Sequence, residues 1–305
     1  MKVPILFIIF NRPEIAANSF QSIRDYQPDV LYIAADGPRP SRQEEKELCN
    51  QTRQIILDMI DWVCDVKTFF REENIGVDLG VYGAINWLFS NEKWGVIIED
   101  DCYVSQDFYH LCEDAFIRYE NEPKVMHIIA NNPMSTALES SVLQFTYYPM
   151  SWGWATWADK WHAIMDPEMK KYPDITIPAM IKRFGWFQGL MFYRSLLHTY
   201  PNRHILKPWD YIWRYSIMVN DGLCLIPDVN LAINRGIGTC EGSHYELGEK
   251  DYYEGLSMGT LKQPYRYPSE LTIKAEMISR QRKEYFSLKM FGLRKKFRRF
   301  FHISR

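Results

Sequence analysis

The sequence predicts an α/β fold with a doubly wound, mostly parallel central sheet. Short apolar runs alternate with helical stretches over residues 1–130, a rhythm typical of repeated strand–helix units. The chain has 305 residues, of which 47% are hydrophobic and 24% charged, so it can bury a substantial core. Polar residues follow each of the first four predicted strands, at the sheet edge where such folds bind ligands.

The elements follow one another with recognisable starts and ends. The apolar runs predict strands over residues 3–10, 30–35, 66–71, 95–98 and 125–130. Helices are predicted over residues 13–26, from a capping box at 41–44 toward 60, over 78–89 with Asp78 as cap, and over 105–119 with Ser105 as cap. Further on, helices are predicted over 178–200 and 208–220, and short strands over 223–226 and 231–233.

Three consecutive carboxylates, Glu99-Asp100-Asp101, end the fourth predicted strand. Adjacent like charges repel and are costly to desolvate, and a divalent cation would remove both problems. The cluster therefore indicates a metal site for a phosphate-bearing ligand, with a solvated acidic turn as the alternative. The other strand ends are polar too and converge on the same edge, which favours the metal site: Asn11/Arg12, Asp36/Gly37 and Glu72/Asn74.

Several other classes of protein and site are not indicated by the sequence. It has no GxGxxG after the first strand, no Walker motif, no serine nucleophile elbow and no histidine-rich metal helix. The six cysteines are scattered without a CxxC pair, so we expect reduced thiols in the cytosol. We expect neither a signal peptide nor a spanning helix, because the longest apolar runs are too short.

The rhythm changes in the second half of the chain. Residues 151–157, an aromatic-glycine segment, predict a loop in which glycine admits a ligand and tryptophan offers a flat face to a pyranose. The alternative is a hydrophobic plug between domains. Six glycines from 236 to 259 indicate a loop-rich region.

The C-terminal segment is strongly basic. Residues 280–305 carry ten lysines and arginines against one acidic residue, interleaved with aromatic residues. This composition favours a basic amphipathic helix on an anionic membrane surface. A solvated charged terminus is one alternative. Nucleic acid is the other, and the acidic remainder of the chain argues against it.

These features, in this order, resemble the GT-A glycosyltransferases, a Rossmann-like nucleotide-sugar fold, and more narrowly family 13, the inverting N-acetylglucosaminyltransferases. The resemblance runs over about residues 3–250. It implies donor binding by Asn11, Arg12, Asp36, Glu99 and Asp100, and by Asn74, which stands where the family has a histidine. It implies Mn²⁺ (or Mg²⁺) on Asp101. It implies acceptor contacts by Trp152-Gly153-Trp154 and Trp209, a catalytic base at Asp210, and a donor-covering loop with Ser243 and His244.

Structural roles compete with some of these assignments. Asp210 follows a proline near a helix start and would serve as a cap. Arg12 would anchor the following helix, Asp36 would belong to a bare turn, and His244 would be an ordinary loop histidine.

The function implied is a metal-dependent inverting glycosyltransferase acting on a nucleotide sugar, with UDP as the expected nucleotide. The expected acceptor is a glycan or lipid-linked glycan in surface polysaccharide synthesis, at the inner face of the plasma membrane. Two rivals remain: a sugar-phosphate nucleotidyltransferase and a non-catalytic carbohydrate-binding or membrane-adaptor protein. The expected organisation is a donor half (1–135), an acceptor and catalytic half of the same domain (136–268) and a basic tail (269–305).

Overall fold

The computed structural model describes residues 2–42, 44–206, 209–237, 253, 255–284 and 287. Its strands are β1 (Ile5–Ile9), β2 (Val30–Ala35), β3 (Asp65–Phe70), β4 (Trp94–Glu99), β5 (Cys102–Val104), β6 (Val125–Ile129), β7 (Glu139–Thr146), β8 (Trp154–Trp157), β9 (Leu223–Pro227), β10 (Ala232–Asn234) and β11 (Thr260–Arg266). Its α-helices are α1 (Pro13–Tyr26), α2 (Glu45–Asp58), α3 (Val77–Phe89), α4 (Gln106–Arg118), α5 (Ala158–Ile164), α6 (Ile177–Phe184), α7 (Trp186–Leu206) and α8 (Trp209–Val219). None of the helices in these ranges combines the length and apolarity needed to cross a bilayer.

Nine of the described strands form one sheet in the order β11-β7-β9-β6-β8-β4-β1-β2-β3. Strands β4, β1, β2 and β3 run parallel to one another, and β8 inserts antiparallel between β4 and β6. The doubly wound, mostly parallel α/β sheet predicted from the sequence is confirmed, and it is consistent with a GT-A type fold.

Strands β1 and β2 are apolar throughout because helices cover both of their faces. Phe7 of β1 packs on one side in the same cluster as Phe20 of α1. Its neighbour Leu6 packs on the other side with Val81 and Ile85 of α3. Successive side chains of a strand point to opposite faces, so a strand covered twice reads as a continuous apolar run. This explains why these elements were predictable from the sequence.

Helix α2 begins later than predicted. The capping box at 41–44 predicted a start after Ser41, whereas the first helical residue is Glu45. The Glu45 carboxylate is almost fully buried and accepts hydrogen bonds from the backbone N and Nε of Arg39, at 3.1 and 2.8 Å. The predicted start of this helix is wrong because the Glu45 carboxylate, in the first turn, pairs with Arg39.

Two further predictions about the second half of the chain are corrected. Trp154–Trp157 is strand β8, in the middle of the sheet, and not part of a loop. The helix predicted over 178–200 is divided at Gly185, whose φ of +82° ends α6 before α7 begins.

One sheet spans both predicted halves. Strand β8 pairs with β4, and β9 pairs with β6, so strands from either side of residue 135 are hydrogen-bonded neighbours. The assignment of residues 1–135 to donor binding and of residues 136–268 to acceptor binding and catalysis therefore stays a prediction. Of the basic tail, residues 275–284 include a helical stretch, and apart from residue 287 the remainder to 305 lies outside the described residues.

Candidate active site

The carboxyl ends of the four parallel strands surround one cavity of about 370 Å³. This volume is within the range typical of small-molecule sites. The lining includes at least one residue that follows or ends each strand: Asn11 and Arg12 after β1, Asp36 after β2, Arg71 and Asn74 after β3, and Glu99 and Asp100 at the end of β4. The register of the sheet explains the convergence, because Ile8 pairs with Glu99 and Ala35 with Phe70.

Arg12 binds two of the three carboxylates. Its guanidinium forms an ion pair and hydrogen bond with Asp100, and its Nη1 and Nη2 lie 3.4 Å from Asp101 Oδ2. Asp100 also accepts a hydrogen bond from the backbone N of Phe10, at 3.2 Å. Burial alone would lower the pKa of Arg12, but Asp100 and Asp101 outweigh it and raise the pKa. An arginine that follows β1 thus supplies part of the charge compensation that the sequence assigned to a metal.

Glu99 is the carboxylate that Arg12 does not bind. No hydrogen bond or ion pair joins its side chain to another residue in the described part of the chain. Burial raises its pKa above the ordinary value, and the charges of Asp101 and Asp100 raise it further. Burial also raises the pKa of Asp100, against the opposing effect of Arg12. Ionising all three carboxyl groups together is therefore unfavourable unless a bound cation compensates them.

Asp101 offers a more accessible carboxylate than Asp100 for a metal ion. Its side chain is 20% exposed, against 4% for Asp100. Its backbone carbonyl accepts a hydrogen bond from the N of Arg235, at 2.6 Å, which ties the loop after β10 to the site. Within the described ranges no group of three His, Cys, Asp or Glu residues forms a complete metal site. Asp101 nevertheless fits Mn²⁺ or Mg²⁺, since such ions are often held by one or two carboxylates plus substrate phosphates.

Asp36 and Asn74 hold the loop that precedes α3. The Asp36 carboxylate accepts hydrogen bonds from the backbone N of Gly37, Ile75 and Gly76, at 3.1 to 3.2 Å. Asn74 donates to the carbonyl of Gly37, at 3.0 Å, and accepts from Gly76 N, at 3.1 Å. Both side chains line the cavity, but most of their hydrogen-bonding capacity is used within the protein. Their predicted contacts with the nucleotide remain predictions.

Asp210 lies in the first turn of α8 and reaches the same acidic region. Its charge contributes to the raised pKa of Glu99, after the larger effects of burial, Asp101 and Asp100. Asp210 is not the cap of its helix, because α8 begins one residue earlier, at Trp209. No hydrogen bond joins its carboxylate to another side chain or backbone group of the described chain.

Asp78 of α3 holds the start of α8. Its Oδ1 accepts a hydrogen bond from the backbone N of Trp209, at 3.3 Å. Burial raises the pKa of Asp78, and the charge of Asp210 adds to the rise. The sequence predicted Asp78 as the cap of its own helix, but Gly76 occupies the N-cap position of α3. Asp78 therefore positions the helix that carries Asp210.

The aromatic residues predicted to bind the acceptor differ in exposure. Trp154 is 1% exposed and stacks between His127 and Trp209, with ring centroids 4.9 and 5.8 Å away. It has no free face for a sugar, and Trp209, at 6% exposure, offers little more. Trp152 is only partly buried and keeps its predicted role as a candidate.

Gly153 has a structural reason to be glycine. Its φ is +70°, and a Cβ there would lie 2.5 Å from Val104 Cγ2 and 3.3 Å from Ala130 Cβ. The space beside it is filled by protein, so the prediction that glycine admits a ligand at this position is wrong.

His127 packs against the aromatic residues Trp154 and Trp213. Its Nε2 lies 3.0 Å from the carbonyl of Met150, and its Nδ1 accepts a hydrogen bond from Trp213 Nε1, at 3.2 Å. Because a carbonyl only accepts, the neutral Nε2–H form satisfies both contacts. Burial lowers the pKa of His127 to about 3.

Two cationic residues of the cavity were not selected from the sequence. Arg39 and Arg71 both line it. Arg39 is paired with Glu45, whereas burial lowers the pKa of Arg71 and Asp36 partly offsets this effect. The position of Arg71 at the end of a predicted strand is the signal that could have identified it. Ser243 and His244 lie outside the described residues.

No protein-family model matches the chain, and no curated protein matches it in sequence. Among solved structures it is similar to residues 1–349 of S. aureus TarS, with a TM-score of 0.37 and 12% identity over 53% of this chain and 49% of that chain. It is also similar to mouse xyloside xylosyltransferase 1, with a TM-score of 0.33 and 10% identity over 72% of this chain and 84% of that chain. A third is UDP-glucose pyrophosphorylase complexed with UDP-glucose, with a TM-score of 0.29 and 11% identity over 52% of this chain and 77% of that chain. At these scores the similarities assign no function, which has to rest on the geometry of the site.

Proposed function

We propose that this protein is a metal-dependent, inverting glycosyltransferase that moves a sugar from a nucleotide sugar to a hydroxyl group of a glycan or lipid-linked glycan. One observation carries the proposal. Arg12, Glu99 and Asp100 line one cavity at the carboxyl ends of four parallel strands, and Arg12 also contacts Asp101. Asp210, in the first turn of α8, is close enough for its charge to raise the pKa of Glu99. Such an arrangement suits a ligand that carries both phosphates and a reactive sugar.

The donor is proposed to lie in the cavity, with its diphosphate toward Arg12 and Asp101. Arg12 is held in place by Asp100, which leaves its position fixed before a ligand arrives. Mn²⁺ or Mg²⁺ on Asp101 would neutralise negative charge on the departing diphosphate. The charges of Asp101, Asp100 and Asp210 all affect Glu99, at the end of β4, and the donor sugar is proposed to sit beside it.

The reaction is proposed to be a single displacement at the anomeric carbon. The acceptor oxygen forms a bond to that carbon while the bond to the diphosphate oxygen breaks, and the diphosphate leaves with the electron pair. The proton of the acceptor hydroxyl passes to the carboxylate of Asp210. This carboxylate forms no hydrogen bond with another described residue. Asp78 fixes the start of α8 through its hydrogen bond with the backbone N of Trp209, next to Asp210 in the chain.

The biological setting is proposed to be surface polysaccharide synthesis in the cytoplasm, at the inner face of the membrane. The composition of residues 280–305 supports a membrane-bound acceptor. The five cysteines within the described ranges are unpaired, as a reducing compartment would require.

The two rival functions make different demands on the same site. A nucleotidyltransferase needs a basic, glycine-rich phosphate loop after the first strand. Here only Phe10-Asn11-Arg12 joins β1 to α1, without glycine, and Arg12 is bound to Asp100. A non-catalytic binding protein would need neither an Asp210 carboxylate without a hydrogen-bond partner in the described chain nor a cluster of carboxyl groups around Glu99.

A donor screen tests the proposal. The full chain is incubated with a panel of UDP- and GDP-sugars and glycan acceptors, with and without EDTA, and release of nucleoside diphosphate is measured. We expect release that depends on Mn²⁺ or Mg²⁺ and that Asp101→Ala abolishes. In a parallel reaction, sugar 1-phosphate and nucleoside triphosphate are supplied, and pyrophosphate release there would instead establish the nucleotidyltransferase. Sugar binding that survives Asp101→Ala without any turnover would favour the binding protein.

A further inference from the structure

Helix α7 presents an unusual face to solvent. It is 21 residues long and packs its inner side, including Phe192 and Leu196, into a small core shared with α6. Its outer side includes Trp186, which is 72% exposed, together with Leu190 at 37% and Leu197 at 48%. Residues spaced by four and eleven positions lie on one side of a helix, so these three form a single apolar stripe.

Exposed large hydrophobic residues are concentrated on α6 and α7 and are not spread evenly over the described chain. Of the fourteen exposed large hydrophobic residues in the described chain, five belong to α6 and α7: Ile177, Trp186, Phe187, Leu190 and Leu197. Single exposed apolar residues are ordinary, whereas a contiguous patch marks an interaction surface.

The charge around the stripe is entirely positive along the sequence. Residues 175–209 contain five lysines and arginines and no aspartate or glutamate. Arg183 is paired with Asp221, at 2.8 Å, but neither Lys182 nor Arg194 forms an ion pair with a described residue, and both are exposed. An apolar face flanked by unpaired cations matches the chemistry of a bilayer that carries anionic lipids.

The described part of the basic C-terminal segment contacts the start of α7 and the end of α6. Arg282 donates a hydrogen bond from Nε to the carbonyl of Phe184, at 3.1 Å, and its guanidinium packs against Gly185. Gln188 of α7 also donates to the carbonyl of Gln281, at 3.2 Å. Arg282 therefore places a further exposed cation at Gly185, the residue between α6 and Trp186 at the start of α7.

We propose that the outer face of α7, defined by Trp186, Leu190 and Leu197, is the surface on which the protein lies against an anionic membrane. Tryptophan is well suited to the membrane–water boundary, and the neighbouring cations would meet the lipid headgroups. This inference depends on the described helices and is independent of the proposed sugar transfer.

Vesicle flotation of the full chain tests this surface. Vesicles of phosphatidylcholine, with and without phosphatidylglycerol, are compared at low and high salt. The test variant is Trp186→Asp, and the matched control is Ile117→Asp on α4, where the side chain is 71% exposed. Both variants add one negative charge at an exposed apolar position, so both are expected to fold, and circular dichroism and thermal melting verify this.

The wild type and Ile117→Asp are expected to float with the anionic vesicles, and less so at high salt. Trp186→Asp is expected to bind at least about tenfold more weakly, because an exposed indole that enters the interface contributes much of the apolar burial. Wild-type-like binding by Trp186→Asp would overturn the proposal, and so would an equal loss in Ile117→Asp. A dimer that Trp186→Asp converts to a monomer, without vesicle binding by the wild type, would instead assign the stripe to a second copy of the chain.

Discussion

Arg12→Met should destabilise the fold as well as the donor site. Methionine keeps most of the length and apolar volume of the side chain but removes the cation. Asp100 would then remain buried, with only the backbone N of Phe10 as a hydrogen-bond donor. Beside it, Glu99 and Asp101 would add repulsion that Arg12 now offsets.

The magnitude follows from how deeply the pair is buried. The side chains of Arg12 and Asp100 are only 16% and 4% exposed, so this contact belongs to the buried class. Removing one partner of a buried ion pair costs about 3–5 kcal/mol, whereas the longer and more exposed contact with Asp101 adds less than about 1 kcal/mol. We expect Arg12→Met to lower the free energy of unfolding by about 3–5 kcal/mol, mostly through the buried pair with Asp100.

Urea denaturation in a double-mutant cycle measures this. Asp100→Asn removes the charge that Arg12 neutralises, so the double variant Arg12→Met/Asp100→Asn should lose less stability than the sum of the two single variants. A coupling free energy of about 2 kcal/mol is expected, within the range seen for contacting residues. A loss below about 1 kcal/mol for Arg12→Met, with additive single effects, would refute the reasoning that Arg12 compensates the acidic cluster.

The remaining predictions concern three other positions. Because burial lowers the pKa of His127 to about 3 from an ordinary 6.5, only the unfolded chain takes up its proton below pH 6.5. Stability is therefore lost as pH falls, by about 2 kcal/mol at about pH 5, and urea titrations of His127→Gln should lack this component. Asp78→Ala should lower kcat about 10- to 100-fold with little change in the donor KM, and Asp78→Asn, which keeps an acceptor oxygen, should restore much of it. Gly153→Ala should destabilise the fold by more than about 1 kcal/mol, whereas Gly255→Ala, also at positive φ but with open space, should cost less; equal losses would contradict the packing argument.

The donor half of the site was predictable because its signals are local. Strands covered on both faces are continuous apolar runs, and the polar residues that follow them must meet at one edge of a parallel sheet. The predicted helix over 13–26 and strand over 30–35 coincide with α1 and β2. The acidic trio could be placed at the end of β4 for the same reason.

The acceptor half was less predictable because its structure depends on distant partners. Strand β8 is four residues long and begins directly after Gly153, so no periodicity distinguishes it from a loop. Its pairing with both β4 and β6 is what makes it a strand. Likewise, the hydrogen bond from the N of Trp209 to Asp78 joins residues far apart in sequence, and no local pattern indicates it.

Arg12 illustrates how the structure changes the interpretation of a correct prediction. The sequence placed a cation and three carboxylates at one site and assigned the charge compensation to a metal. In the structure, the guanidinium already neutralises Asp100 and part of Asp101. The carboxyl groups that Arg12 leaves without full compensation are Glu99 and Asp101, so a divalent cation is expected beside these two side chains.

The comparison of Asp210→Asn with Asp101→Ala tests the central claim most directly. For each variant, binding of the nucleoside diphosphate in the presence of Mn²⁺ is measured by calorimetry, and sugar transfer is measured in the same buffer. Both variants should lose transfer, and only Asp101→Ala should lose metal-dependent donor binding. Full transfer by Asp210→Asn would contradict the assignment of the catalytic base, and unchanged donor binding by Asp101→Ala would contradict the assignment of the metal ligand.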